Sequence, residues 1–192
     1  MVKKSLIYLS VIFSFAISQD DTLNYHISLT LHEELINDFF SGMGEISGKG
    51  EIAIGSYRWK LLEPRIDIEK DTILFVSTVR LSVGDMKTHE DVKGWVSAIF
   101  NEETNKVELK IEEATVILDI DLFGKNVVVT ELDIAHYFSK PFYLNGPQPM
   151  TEHIEFNLPN GDLREIKVST KKSNMYIVKD AILVKTLLDF SN

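Results

Sequence analysis

The chain has no cysteine among its 192 residues, which excludes disulfides, thiolate metal sites, a cysteine nucleophile and a lipid anchor on an N-terminal cysteine. Histidine is scarce and dispersed: His26, His32, His89, His136 and His153 form no H-x-H, H-x3-H or H-E-x2-H pattern, so a zinc site of the usual spacing is not expected. His32-Glu33 opens such a motif, but Ile36 stands where the second ligand belongs. Positive charge is also short. With 20 basic against 29 acidic residues and a net charge of −9, the chain lacks the cation surplus that phosphate-backbone binding requires, and no nucleic-acid partner is expected. No G-x-S-x-G, P-loop or dinucleotide-type glycine pattern occurs. These absences leave no catalytic motif and no cofactor expectation. An apolar fraction of 44% is ample for a packed core.

The first residues carry an address. Met1 to Ser18 reads MVKKSLIYLSVIFSFAIS, with Lys3 and Lys4 ahead of an apolar run and with Ala16 and Ser18 placed as in an A-x-A cleavage site. The run is shorter than the roughly 20 residues of a membrane anchor and gives way at once to Gln19-Asp20-Asp21. Residues 1–18 are therefore expected to be a signal peptide and 19–192 one exported domain. Without the leader, 18 basic and 29 acidic residues remain, a net of −11. Export without cysteine suits a periplasmic or secreted location.

What is present is one helical pattern followed by a long series of strands. Tyr25, Ile27 and Leu29 alternate as a short strand. Thr30 and Glu33 have the spacing of a capping box, and Leu31, Leu35, Ile36, Phe39 and Phe40 form one wide stripe of an amphipathic helix that Gly42 and Gly44 can end. Gly42, Gly44, Gly48, Gly50 and Gly55 suggest a flexible connection. Alternation then governs Ile52/Ile54, Tyr57/Trp59, Ile66/Ile68 after Pro64, and the long run Ile73 to Val83, with Lys70-Asp71-Thr72 as a turn. The polar stretch Gly84 to Asp91 reads as loop. Val92–Phe100 and Lys106–Ile111 read as a hairpin. The phase slip from Val107, Leu109 and Ile111 to Ala114, Val116, Leu118 and Ile120 predicts a bulge at Glu112-Glu113.

Thr130 is expected to cap a second short helix over 131–138, and 142–150 reads as an extended crossing segment. Further strands are expected at 153–158, 163–170 and 175–190, the last interrupted near Lys179-Asp180, with turns at 159–162 and 171–174. No internal repeat is evident. Asp119 and Asp121 share a strand face and have the geometry for a cation or an acid–base pair, but the solvated side of a half-buried strand accounts for them more simply.

The apolar surplus is the most informative feature. Several strands are apolar on both faces, which calls for a second covering layer, a protein partner or a hydrophobic cavity. The order of short strand, helix I-S-L-T-L-H-E-E-L-I-N-D-F-F (Ile27–Phe40) and long strands (Gly48–Val83) resembles the start of bacterial periplasmic tubular lipid-binding domains, relatives of the bactericidal/permeability-increasing superfamily. Leu31, Leu35, Ile36, Asn37, Phe39 and Phe40 carry the likeness, with Ile66-Asp67-Ile68 and the Ile73–Val83 strand. The resemblance implies an α+β fold in which a highly curved antiparallel sheet wraps one amphipathic helix. It also implies a tube for acyl chains, diffuse apolar ligand contacts and no catalytic residues.

The expectation is thus an exported, non-enzymatic binding protein for a lipid or other hydrophobic molecule, held between helix and concave sheet. Its contacts would be Leu35, Ile36, Phe39, Phe40, Phe75, Val79 and Leu81, and it would touch membranes transiently. Each buried CH2 contributes roughly 0.8 kcal/mol to such a complex. The rival is an envelope adaptor whose apolar strand faces meet a protein partner.

Overall fold

The computed structural model describes residues 24–52, 55–122, 124–148 and 152–192; the expected leader and Ile54 lie outside them. The fold is α+β, built of curled antiparallel sheets with a single α-helix among the described residues. β1 (Ile27–His32), β12 (Ala181–Ser191), β11 (Leu163–Val178) and β10 (His153–Asn157) form one sheet in that order. β2 (Ser47–Ile52), β3 (Gly55–Glu69), β4 (Thr72–Val83), β5 (Met86–Asn101), β6 (Lys106–Glu113) and β9 (Phe142–Asn145) form the second. β7 (Thr115–Leu122) and β8 (Lys125–Asp133) make a separate two-stranded ribbon. The helix, α1, spans Glu33–Gly42.

The helix begins later than the capping-box spacing suggests. Thr30 and Leu31 belong to β1, where Leu31 pairs with Ile182, and no side chain caps the helix N-terminus. Glu33 is used differently. β3 outlasts its partner β2, which pairs only with residues 55–60, so the β3 edge at Ile66–Ile68 would be left with open backbone groups. α1 closes it. The Ile68 amide donates to Glu33 Oε2 at 2.7 Å, the Ile66 amide donates to Asn37 Oδ1 at 2.8 Å, and Asn37 Nδ2 donates to the Ile66 carbonyl at 3.0 Å.

Two hairpin tips meet beside this edge, and they share the sequence I-x-K-D-x-I-L: Ile68–Leu74 at the β3–β4 turn and Ile177–Leu183 at the β11–β12 turn. The contact is reciprocal. The Asp71 amide donates to the Ile177 carbonyl (3.2 Å), and the equivalent Asp180 amide donates to the Ile68 carbonyl (2.9 Å). The Asp180 carbonyl in turn accepts the Glu33 amide at 2.9 Å. Asp71 and Asp180 both sit at positive φ, 61° and 62°, which aspartate tolerates better than most residues. A short repeat therefore exists where none was evident, and it locks the two sheets tip to tip.

Several expected breaks are strand. Met86–Asp91 continues β5 because backbone pairing with Thr78–Val83 does not need apolar side chains. Residues 171–174 continue β11 through a bulge at Lys171, and the turn lies at Lys179-Asp180. Residues 131–133 finish β8; the expected second helix is a single 3-10 turn over Ala135–Phe138, with the His136 amide donating to Asp133 rather than to a Thr130 cap. The crossing segment contains β9, paired with Lys106–Leu109 of β6. Gly48 and Gly50 lie in β2 rather than in a flexible connection, because the Trp59 and Tyr57 rings lie across them where a Cβ would come within 2.6 and 2.5 Å.

The predicted bulge is present. Trp95 pairs with Glu113 and Val96 with Ile111, leaving Glu112 as the extra residue. There the chain leaves the six-stranded sheet for the β7–β8 ribbon, passing so close to Gly94 that a Cβ would stand 2.1 Å from the Glu113 carbonyl. A second bulge in β3, Glu63-Pro64 opposite Ser77, accommodates the proline, which has no amide to pair. Ser77 is buried there and donates to the Leu62 carbonyl at 2.7 Å.

Candidate functional site

Strand alternation and helix periodicity divide the seven expected contact residues into two groups. Ile36, Phe40, Phe75, Val79 and Leu81 are buried, the last three completely. Ile36 and Phe40 are four residues apart and form the inward stripe of α1, and Phe75, Val79 and Leu81 are inward positions of β4. Phe40 meets Phe75 and Phe138 with ring centroids 6.1 and 5.9 Å apart. The space between helix and concave sheet is thus filled with side chains. Leu35 and Phe39 form a parallel stripe one residue back, and they are more than half exposed (54% and 53%).

Phe39 of that exposed stripe begins an aromatic staircase. Phe39 meets Phe142 edge to face at 5.2 Å; Phe142 lies 5.4 Å from Phe40; Phe138 lies 5.4 Å from Phe75. The rings lead from solvent into the core in the tilted geometries that aromatic pairs favour. Beside them is an open groove of about 430 Å³ whose wall includes Met43, Ile46, Tyr137, Phe138, Lys140 and Phe142. The 3-10 turn makes this wall: it projects Tyr137 outward and Phe138 inward. Sequence reasoning missed Tyr137, Phe138 and Phe142 as site residues. The only signal was an aromatic run, A-H-Y-F-S-K-P-F, in a stretch read first as helix and then as crossing segment.

The carboxylates are used structurally. Asp121 Oδ1 accepts the Gly124 amide in the β7–β8 turn (2.7 Å), and Glu102 Oε1 accepts the Ser173 amide (3.1 Å). Glu112 pairs with Lys110 and accepts the Ser97 hydroxyl, and the Lys110 hydrogen bond, then that of Ser97, holds it below the ordinary carboxylate range. No group of three or more potential metal ligands is found among the described residues.

No protein-family model, curated protein or solved structure matches the chain. The functional reading therefore stands on the geometry alone.

Proposed function

We propose that this is an exported, non-catalytic binding protein that takes the acyl chain of a lipid or a similar hydrophobic ligand in the groove beside Phe39. The observation that carries the reading is the doubled stripe of α1: one apolar pair completes the core, and the second is left at the surface, where its Phe39 meets Phe142 in the wall of an open groove. A helix that only had to close the core would carry polar residues at positions 35 and 39.

Magnitude sets the expected affinity. Full burial contributes about 0.8 kcal/mol per CH2, but an open groove covers roughly half of a chain, so a twelve-carbon tail gains on the order of 5 kcal/mol. Lost freedom on association costs at least about 4 kcal/mol. The groove by itself binds weakly, and any strong binding needs a polar anchor.

The test is a titration of the purified protein with dodecyl maltoside below its micelle concentration, followed by amide shifts. Expected are shifts concentrated at Phe39, Met43 and Phe142 and abolished in Phe39→Ser, whose exposure leaves folding intact. Shifts elsewhere, or none, reject the groove.

A protein-contact reading draws on a different place. The inner face of the four-stranded sheet continues past its cover through Ile154, Phe156, Ile166, Val168 and Phe190, of which Ile154, Phe156 and Phe190 are exposed. A protein partner seated there would be displaced by Phe156→Asp with no effect on amphiphile shifts.

A further inference from the structure

The outer face of β2–β5 collects cations in an acidic chain. Two rows of directly opposed residues cross it: Lys49, Arg58, Ser82 and Lys87 in one, and Ser47, Lys60, Arg80 and His89 in the next. Like charges opposite each other on antiparallel strands destabilise a sheet, and 29 acidic residues give the chain ample means to pair them. Lys60 is paired, with Glu45. Arg58, Arg80 and Lys87 have no ion pair and no side-chain hydrogen bond among the described residues.

Register also explains why the face is concave there. Ser82 stands between Arg58 and Lys87, and Arg80 is two residues before it on the same face of β4. Three long side chains thus surround one short one, and all four line a hollow of about 300 Å³. Opposed and diagonal positions on neighbouring strands lie about 4.5–8 Å apart, which puts the three charged ends within reach of one bound anion. Glu45 is the sole acid in the wall among the described residues, and it is already engaged. The hydrogen bond and charge of Lys60, then the Ser47 hydroxyl and most weakly the charge of Arg80, hold its carboxyl below the ordinary range.

We infer that this hollow is an oxyanion site whose ligand is a phosphate or phosphate monoester group. Arg58, Arg80 and Lys87 are its charged donors, and the Ser82 hydroxyl is a neutral donor between them. A phosphate monoester carries about −1.5 to −2 charge at pH 7 and three acceptor oxygens, which suits three cations better than a singly charged carboxylate does. Guanidinium forks match two such oxygens at a time. The site accounts for the unpaired cations, because a bound dianion relieves their mutual repulsion. The hollow and the groove beside Phe39 have no wall residue in common, so the two readings stand or fall separately.

Two measurements on the full protein at constant, low ionic strength test it: amide shifts on titration with inorganic phosphate, and cosedimentation with vesicles of phosphatidic acid in phosphatidylcholine. Expected are saturable shifts centred on Arg58, Arg80, Ser82 and Lys87, or vesicle binding, weakened at least about tenfold in Arg58→Gln/Arg80→Gln. That double variant should melt no lower than the parent, since it removes opposed like charges. Lys125→Gln/Lys171→Gln, which removes the same charge elsewhere, should leave binding unchanged. Free phosphate alone, bound in this way, supports the site with a soluble ligand; vesicles, with or without free phosphate, support it with a lipid head group. Binding of neither probe overturns the site. So does binding centred elsewhere, or weakened equally by the two double variants, which would reduce it to an effect of net charge.

Discussion

Two strands with the same sequence pattern meet different fates. Along β4 every second residue from Ile73 to Val83 is buried, because α1 and the curl of the sheet cover its whole inner face. Along β12 the same alternation starts with Ile182 and Val184 fully buried and Thr186 at 1% exposure, yet it ends with Phe190 at 55%. The cover stops partway. Beyond Thr186 the sheet continues as a three-stranded extension whose inner face is mostly apolar, with Arg164 opposite Phe156, and whose outer face is mostly polar, with His153 paired to Glu165. An apolar period of two thus guarantees a face but not its burial; burial depends on what another part of the chain brings over it. The two stripes of α1 repeat this on a smaller scale.

The sharpest way to break the comparison is in the helix. Phe40→Ala should cost about 3–5 kcal/mol in urea unfolding, since it opens a cavity among Phe75, Phe138 and Phe142, whereas Phe39→Ala should cost under about 1 kcal/mol. Similar losses at the two positions would mean that the exposed stripe is core. Within β12, Ile182→Ala should cost about 2–5 kcal/mol and Phe190→Ala about 0.5 kcal/mol; a large effect at Phe190 in a concentration-dependent melt would reveal a cover supplied by a partner.

Next in size is Gly94→Ala. Its methyl group would collide with the Glu113 carbonyl, so about 1–3 kcal/mol should be lost to overpacking where the chain leaves the sheet, readable as a lowered urea midpoint. Thr186→Val should cost around 1–2 kcal/mol, because it strands the buried Ser173 hydroxyl that now bonds Thr186 at 2.8 Å.

The smallest effect is on pH. Glu45 and Glu112 have carboxyls lowered from the ordinary 4.5 by their lysine partners. A depressed folded-state value means stability that is present above pH 4.5 and is lost as pH falls through the lowered values. Both groups are exposed, so the melting temperature should fall only slightly more steeply below pH 4.5 in the parent than in Lys60→Gln/Lys110→Gln. Added salt should remove the difference. A parent and variant with superimposable profiles in low salt would discount these pairs.

The strands and the helix were largely legible in the sequence, because residues such as Ile73, Phe75, Val79 and Leu81 write their period directly into the chain. The bulge at Glu112 was legible too, as a slip of that period. Met86–Asp91 and residues 171–174 were not, since their strand character comes from backbone pairing with a neighbour and leaves no apolar trace. The candidate site was half legible: Leu35 and Phe39 belong to the helix stripe, but the groove residues Tyr137, Phe138 and Phe142 come from a distant part of the chain, and of these Phe142 meets Phe39.

Local chemistry alone therefore determined which residues alternate, that one amphipathic helix follows β1 and that the chain is acidic and free of cysteine. Tertiary structure decided which apolar stripes are covered. It also decided that Glu33 and Asn37 close a strand edge instead of capping a helix, and that Arg58, Arg80 and Lys87 gather on one face. The reason is that alternation fixes a side chain's direction, whereas burial and charge clustering depend on which distant strand the backbone hydrogen bonds bring alongside it.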